Sequence, residues 1–260
     1  MAPLTRAPFS HSAWSRAAWL LLAAYVVYAA STLGFSWSRM AEGMGHGQAF
    51  IGRMFPPSYE NSEAILRGLK ESLEIAVLAS FAGILIALPL GLLAARNLMP
   101  AAVSWTARAV IALARAFHPV ILAIVFVKAI GFGAVAGVMA LVVASIGFIG
   151  KLFAEAIEEI SMKQVEAVRA TGASFMNVIA FAVLPQVLPR FIGFATYQFD
   201  SNVRNSTMVG IMGAGGIGAP LFVAFQRFEY DAVCAIVLVI IGVVFACELV
   251  AGRVKKVFGA

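Results

Sequence analysis

Six apolar runs punctuate the chain, at about 17–33, 73–95, 103–127, 132–153, 187–209 and 232–250. Each is roughly 17 to 25 residues long, enough for a helix to cross a bilayer core about 30 Å thick. The first run follows Arg6 and Arg16 and is longer than the apolar part of a secretory signal, and Ala29 and Ala30 behind Tyr28 make a poor small-x-small cleavage site. An uncleaved first span is therefore expected. Between the first two runs, SWSRMAEGMGHGQ and then FPPSYENSE predict a long polar loop over 35–63. Between the fourth and fifth runs, EAIEEISMKQVEAVRATGASFMNV is rich in Glu, Ala, Lys, Gln and Arg. It predicts a helix broken near Gly172, where a missing Cβ permits a tight turn. The fifth run is polar for a membrane segment, because Asp200, Asn202, Arg204, Asn205, Ser206 and Thr207 crowd into it.

Composition sharpens this picture. Of 260 residues 62% are hydrophobic and 12% charged, whereas soluble domains carry roughly 25% charged residues. Mean hydropathy is +0.92, so most of the surface must face lipid. That excludes a cytosolic enzyme, a nucleic-acid-binding domain and a disordered tail, and leaves an all-α membrane protein with about six transmembrane helices. The formal net charge of +6 reports topology in such a protein. With the N-terminus inside, Arg96, Arg108, Arg115, Lys151, Lys163, Arg169, Arg253, Lys255 and Lys256 fall at or near cytoplasmic ends, and Arg39, Arg53, Arg67 and Lys70 face outward. The larger group is inside, which makes both termini cytoplasmic. Cys234 and Cys247 share one apolar run and stand about 20 Å apart along a helix, too far to bond to each other.

No catalytic constellation emerges. His11, His46 and His118 have no carboxylate or cysteine at ligand spacing, so no metal site is expected. His118, just before Pro119, reads as a hydrogen-bonded structural residue, with a pathway role as the alternative. Gly213-Ala214-Gly215-Gly216-Ile217-Gly218 satisfies G-x-G-x-x-G, but that chemistry requires a preceding strand, a following helix and an acidic residue about 20 positions on. The nearest later acids are Glu229 and Asp231, and the segment sits among membrane spans. Backbone that bends or packs closely, shielded from lipid, is the better reading of 213–218. The phosphate-cradling G-x-x-x-x-G-K-[ST] is absent, and Leu152 follows Gly150-Lys151 where a hydroxyl would hold Mg²⁺. The chain is thus expected to bind no cofactor, and an ATP-driven process would need its motor on another subunit. In the fifth run Asp200 and Arg204 lie four apart and can pair on one helix face. Either the pair neutralises itself and fixes packing, or Arg204 serves an anion pathway.

The central polar loop reads Glu166-Ala167-Val168-Arg169-Ala170-Thr171-Gly172, with Leu184-Pro185 twelve residues after the glycine. This resembles the EAA loop of ABC-importer membrane subunits, with Val168 in place of an alanine and Ala182 in place of an isoleucine. Further stretches resemble permease subunits of phosphonate importers: Phe55-Pro56-Pro57, 150–158, 169–173, 183–189, and Ser201-Asn202-Val203-Arg204 running into 213–218. The likeness covers most of the chain from about residue 50 onward. It implies the type I importer permease fold of the MetI kind, with an N-terminal part at 1–70, a transmembrane core at 71–253 and a coupling loop at 155–185.

The resemblance further implies a second copy of the chain, two ATP-binding subunits carrying ATP and Mg, and an extracytoplasmic phosphonate-binding protein, in a plasma (inner) membrane. The chain itself would not be an enzyme. Glu166, Ala167, Arg169, Gly172, Leu184 and Pro185 would couple to the ATPase. Arg204 with the polar cluster at 202–207 would ease the passage of an anion, and the glycines of 213–218 would let helices approach and shift at a gate. A binding-protein-fed importer needs only a weak site here, since tight binding would slow release. A self-contained secondary transporter or channel for small anions is the rival. It should show inverted repeats or charge relays through several spans, and neither is found.

Overall fold

The computed structural model describes residues 13–258, with side chains from 14 to 256. Arg6 and His11 lie outside the described residues. Every regular element among them is helical. The chain divides into two compact units, one ending at Arg53 and one starting at Met54. The expected boundary at 70 falls instead inside a helix.

In the first unit α1 (Ala13–Thr32) carries the first apolar run, and α2 (Trp37–Arg53) follows at an angle of 60°. The loop expected over 35–63 is therefore helical for most of its length. Single glycines cost a helix only about 1 kcal/mol each, and the good helix formers Met40, Ala41, Glu42, Met44, Gln48 and Ala49 outnumber them. Trp37, Met40, Met44 and Ile51 recur at helical spacing, which makes one exposed apolar stripe. Arg53 in the last turn suits the helix dipole.

The second unit begins its helices with α3 (Ser62–Ala94), α4 (Ala101–Ala116), α5 (Pro119–Ile130) and α6 (Ala134–Glu158). Then come α7 (Met162–Ala170), α8 (Phe175–Val178), one π turn over Ile179–Val183, α9 (Leu184–Ile211), α10 (Gly218–Gln226) and α11 (Tyr230–Phe258). Helices α3, α6 and α9 pack on one another at the centre, α4 and α5 lie against α6, and α11 lies against α9. Small residues make that centre close: Ala79, Ala136, Ala140 and Ala214 share a buried cluster with Ile75, Leu141 and Val209. Without a hydrophobic driving force between helices in lipid, such short side chains let dispersion contacts do the packing.

Four helical stretches are long and apolar enough to cross a membrane, and two bent helix pairs bring the number to six. One of these pairs corrects the expected single span at 103–127. It is broken into α4 and α5, which meet at 87°. Pro119 offers no N–H and its ring pushes the preceding residue out of helical conformation. His118 accordingly takes φ −70° and ψ 142°, and its Nδ1 accepts from the Val120 N–H at 3.3 Å, capping α5. The structural reading of His118 is the one its geometry supports. Helix α10, in the segment between the last two apolar runs, was not expected at all.

Candidate functional site

The loop between α6 and α9 is built as a rigid mount. Val165, fully buried, turns the inner face of α7 into a cluster with Ile157, Val178, Ala182, Val183 and Val187. Its outer face, with Glu166, Ala167 and Arg169, is exposed, as are Gly172, Leu184 and Pro185. Gly172 ends the helix at φ +76°, with its N–H donating to the Arg169 carbonyl at 3.0 Å. A side chain there would meet no neighbour, so the left-handed backbone alone selects glycine.

Polar ties fix this mount to the helices on either side. Gln186 Oε1 accepts from the Ser161 N–H at 2.9 Å, Arg190 pairs with Glu159, and Asn97 Nδ2 donates to the Ile157 carbonyl at 2.8 Å. Arg108 pairs with Glu158 at 2.6 Å and donates through Nε to the Ala94 carbonyl at 3.0 Å, which binds the ends of α3, α4 and α6 together.

The polar residues of α9 separate into two sets. One set is spent on packing. Asn202, 1% exposed, donates through Nδ2 to Ser80 Oγ of α3 at 2.9 Å and Ser145 Oγ of α6 at 3.0 Å, and Gln198 Nε2 donates to Asn202 Oδ1 and to Ser145 Oγ, both at 2.9 Å. Ser206, fully buried, returns its hydroxyl to the Val203 carbonyl at 2.7 Å. In lipid such a network fixes register, because each member has no water to fall back on. Ser80, Ser145 and Gln198 were missed in the sequence. Gln198, Asn202 and Ser206 at i, i+4 and i+8 form a stripe that could have revealed the inner face.

The other set is less deeply enclosed at Arg204, which is exposed, than at Asp200, which is buried. Arg204 Nη1 meets Asp200 Oδ2 at 2.7 Å, and the second carboxylate oxygen is buried with no partner among the described residues. Asn205 Nδ2 donates to Ser201 Oγ at 3.3 Å, and Thr207 is half-buried. Helical spacing puts Tyr197, Ser201, Arg204 and Asn205 on one face, apart from Asn202 and Ser206. The seven polar residues of 200–207 thus do not act as one cluster.

The 213–218 glycines form a turn at the far end of α9. Gly213, Gly215 and Gly216 take φ of 84°, 78° and 84°. The turn is tied to the third turn of α3 by Gly216 N–H to Glu71 Oε2 and Ile217 N–H to Ser72 Oγ, both 2.9 Å, and to the N-cap of α6 by Gly133 N–H to the Gly213 carbonyl at 3.0 Å. Close approach accounts for Gly218, where a Cβ would run into the Thr207 carbonyl and sit 2.7 Å from the Ile211 nitrogen.

A helical membrane core with a polar inner seam, an open polar face and an exposed, braced helix-turn at one end defines a membrane-embedded transport component. Residues 87–259 match the binding-protein-dependent transport system inner membrane component family, and the chain belongs to it. Among curated proteins it is similar to the phosphate-import permease protein PhnE of Mycolicibacterium smegmatis, with 43% identity over 78% of this chain, and spans 39% of that protein's length. It is 39% identical to the phosphite transport system permease protein PtxC of Stutzerimonas stutzeri, over 80% of this chain and 76% of the relative. Among solved structures it resembles a chain of the inward-facing MetNI methionine ABC transporter, with a TM-score of 0.67 and 26% identity over 77% of this chain and 99% of that one.

Proposed function

We propose that the chain is the permease subunit of an ATP-driven importer of phosphonates or related phosphorus oxyanions. Two copies enclose the pathway, two ATP-binding subunits grip the exposed α7 turn, and an extracytoplasmic binding protein delivers the substrate. ATP and Mg reside on the partner subunits. On this reading both termini and the α7 turn face the cytoplasm and the glycine turn faces outward. The relatives named for phosphate and phosphite transport support the substrate class.

One observation carries the mechanism: Val165 anchors α7 inward while Glu166, Ala167 and Arg169 are left bare, and Gln186 and Arg190 tie that mount to the first turns of α9. Packed helices move as units, so a displacement of the turn reaches the membrane helices without being absorbed in the loop. Closure of the ATPases would then switch the pathway from outside to inside.

Gly172→Leu tests the coupling. It needs a φ that costs a branched side chain about 1–2 kcal/mol, and the leucine would project from the docking face. ATP hydrolysis should continue while uptake falls at least tenfold, with the protein still present in the membrane. Uptake equal to wild type would refute the coupling role. Transport by the chain in liposomes lacking any ATPase would refute the importer.

A further inference from the structure

Arg115, expected from the sequence at or near a cytoplasmic helix end, packs along α6 in the structure. It is the penultimate residue of α4 (Ala101–Ala116), about 21 Å from the start of that helix at 1.5 Å per residue. Packing puts Arg115 beside the middle of α6 (Ala134–Glu158), a stretch long and apolar enough to cross a membrane. It sits just before the α4–α5 break, and its stem lies along α6 at Gly147, where an added Cβ would stand 3.0 Å from the Arg115 nitrogen.

Five basic residues lie on α4, α6 and α9. Arg108, Lys151, Arg190 and Arg204 are all ion-paired, with Glu158, Glu155, Glu159 and Asp200. The Arg115 side chain, exposed in the single chain, has no ion pair or hydrogen bond among the described residues. An arginine at this depth is costly unless something answers its charge. It borders a cavity of about 230 Å³ whose other polar walls are Tyr197, Gln198, Ser201 and Asn205, all from α9. The Gln198 amide N–H groups are already given to Ser145 and Asn202. Ser201 Oγ already accepts from Asn205, so its own O–H and the second N–H of Asn205 are free to donate. Cation and donors converge on one space, and no carboxylate lines it.

Phe148 and Tyr197 stack with centroids 5.5 Å apart and planes at 28°. The same two rings also wall a larger cavity of about 720 Å³ that contains Arg190 and Lys255. The stack therefore stands between the two spaces.

We infer that Arg115, Ser201 and Asn205 form a transient binding site for the phosphorus oxyanion within the membrane, and that the Phe148–Tyr197 stack is the barrier between this site and the larger chamber. This rests on the importer reading and places the substrate contact at Arg115 in preference to the self-neutralised Arg204. A guanidinium presents paired N–H groups to a phosphorus oxyanion, and a single unreinforced cation binds weakly enough to release.

The test is uptake of labelled methylphosphonate and phosphite by cells carrying the intact importer, alongside its ATPase rate and membrane abundance. Arg115→Gln should lower uptake at least tenfold, and Arg115→Lys should restore part of it. Asn205→Asp is nearly isosteric and introduces a carboxylate that would pair with Arg115. It should abolish uptake while thermal stability holds or rises, an outcome a packing role for Asn205 does not produce. Normal uptake by Asn205→Asp, or by an Arg115→Gln protein present at wild-type abundance, overturns the site and leaves the importer standing. Absence of uptake of either anion by the wild type overturns the importer reading, and the site with it.

Discussion

At the scale of single residues, contact geometry separates glycines that look alike in sequence. Gly218 starts α10 against the backbone of α9, where a Cβ would overlap the Thr207 carbonyl, whereas Gly242 on α11 has nothing within 4 Å. Gly218→Ala should cost about 3 kcal/mol through overpacking against backbone that cannot yield, seen as a fall in thermal unfolding midpoint and in membrane abundance. Gly242→Ala should raise the midpoint, by removing about 0.5–1 kcal/mol of helix penalty. Asn202→Leu should cost about 1–2 kcal/mol, since it strips partners from Ser80, Ser145 and Gln198 at once. The sequence showed that 200–207 was polar and therefore enclosed by protein. It did not show that Asn202 faces Ser80, because that partner lies 122 positions away and only the packing of α3 on α9 brings them together.

At the scale of elements, the long apolar runs were legible because hydrophobic length is a local property. Their ends were less so: α3 begins at Ser62 and α11 ends at Phe258, because polar first and last turns that project beyond lipid carry no hydropathy signal. The α4–α5 break was signalled by Pro119 alone, in a run whose mean hydropathy hid it. The loop helix α7 and its glycine stop were readable, since propensity and a turn residue agreed. The brace beneath it was not. Gln186→Leu should loosen that brace by freeing the Ser161 N–H. Faster hydrogen exchange over 159–172 is expected, together with ATP hydrolysis less tightly tied to uptake. Unchanged exchange would show that the buried Val165 cluster holds the loop alone.

At the scale of the whole molecule, polar groups on the open face of α9 cannot be left against hydrocarbon. Tyr197, Arg204 and Met208 are all exposed in the single chain, so in the proposed dimer this face should meet the second copy or the space between copies. Met208→Cys, in a background with Cys234 and Cys247 replaced by Ser, should cross-link to itself with a short bismaleimide. Val77→Cys on α3, 51% exposed but flanked by apolar residues, should not. A cross-link at residue 77 and none at 208 would place the partner on another side.

The amide and hydroxyl knot at Asn202 has a mechanical consequence. It joins α3, α6 and α9 near their midpoints, the mount at Gly172 lies at one end of those helices, and the turn tied to Glu71 and Ser72 lies at the other. On the proposed reading, three struts pinned at the waist act as a see-saw, so tilting the end that carries the mount would swing the end that carries the glycine turn the opposite way in a single stroke.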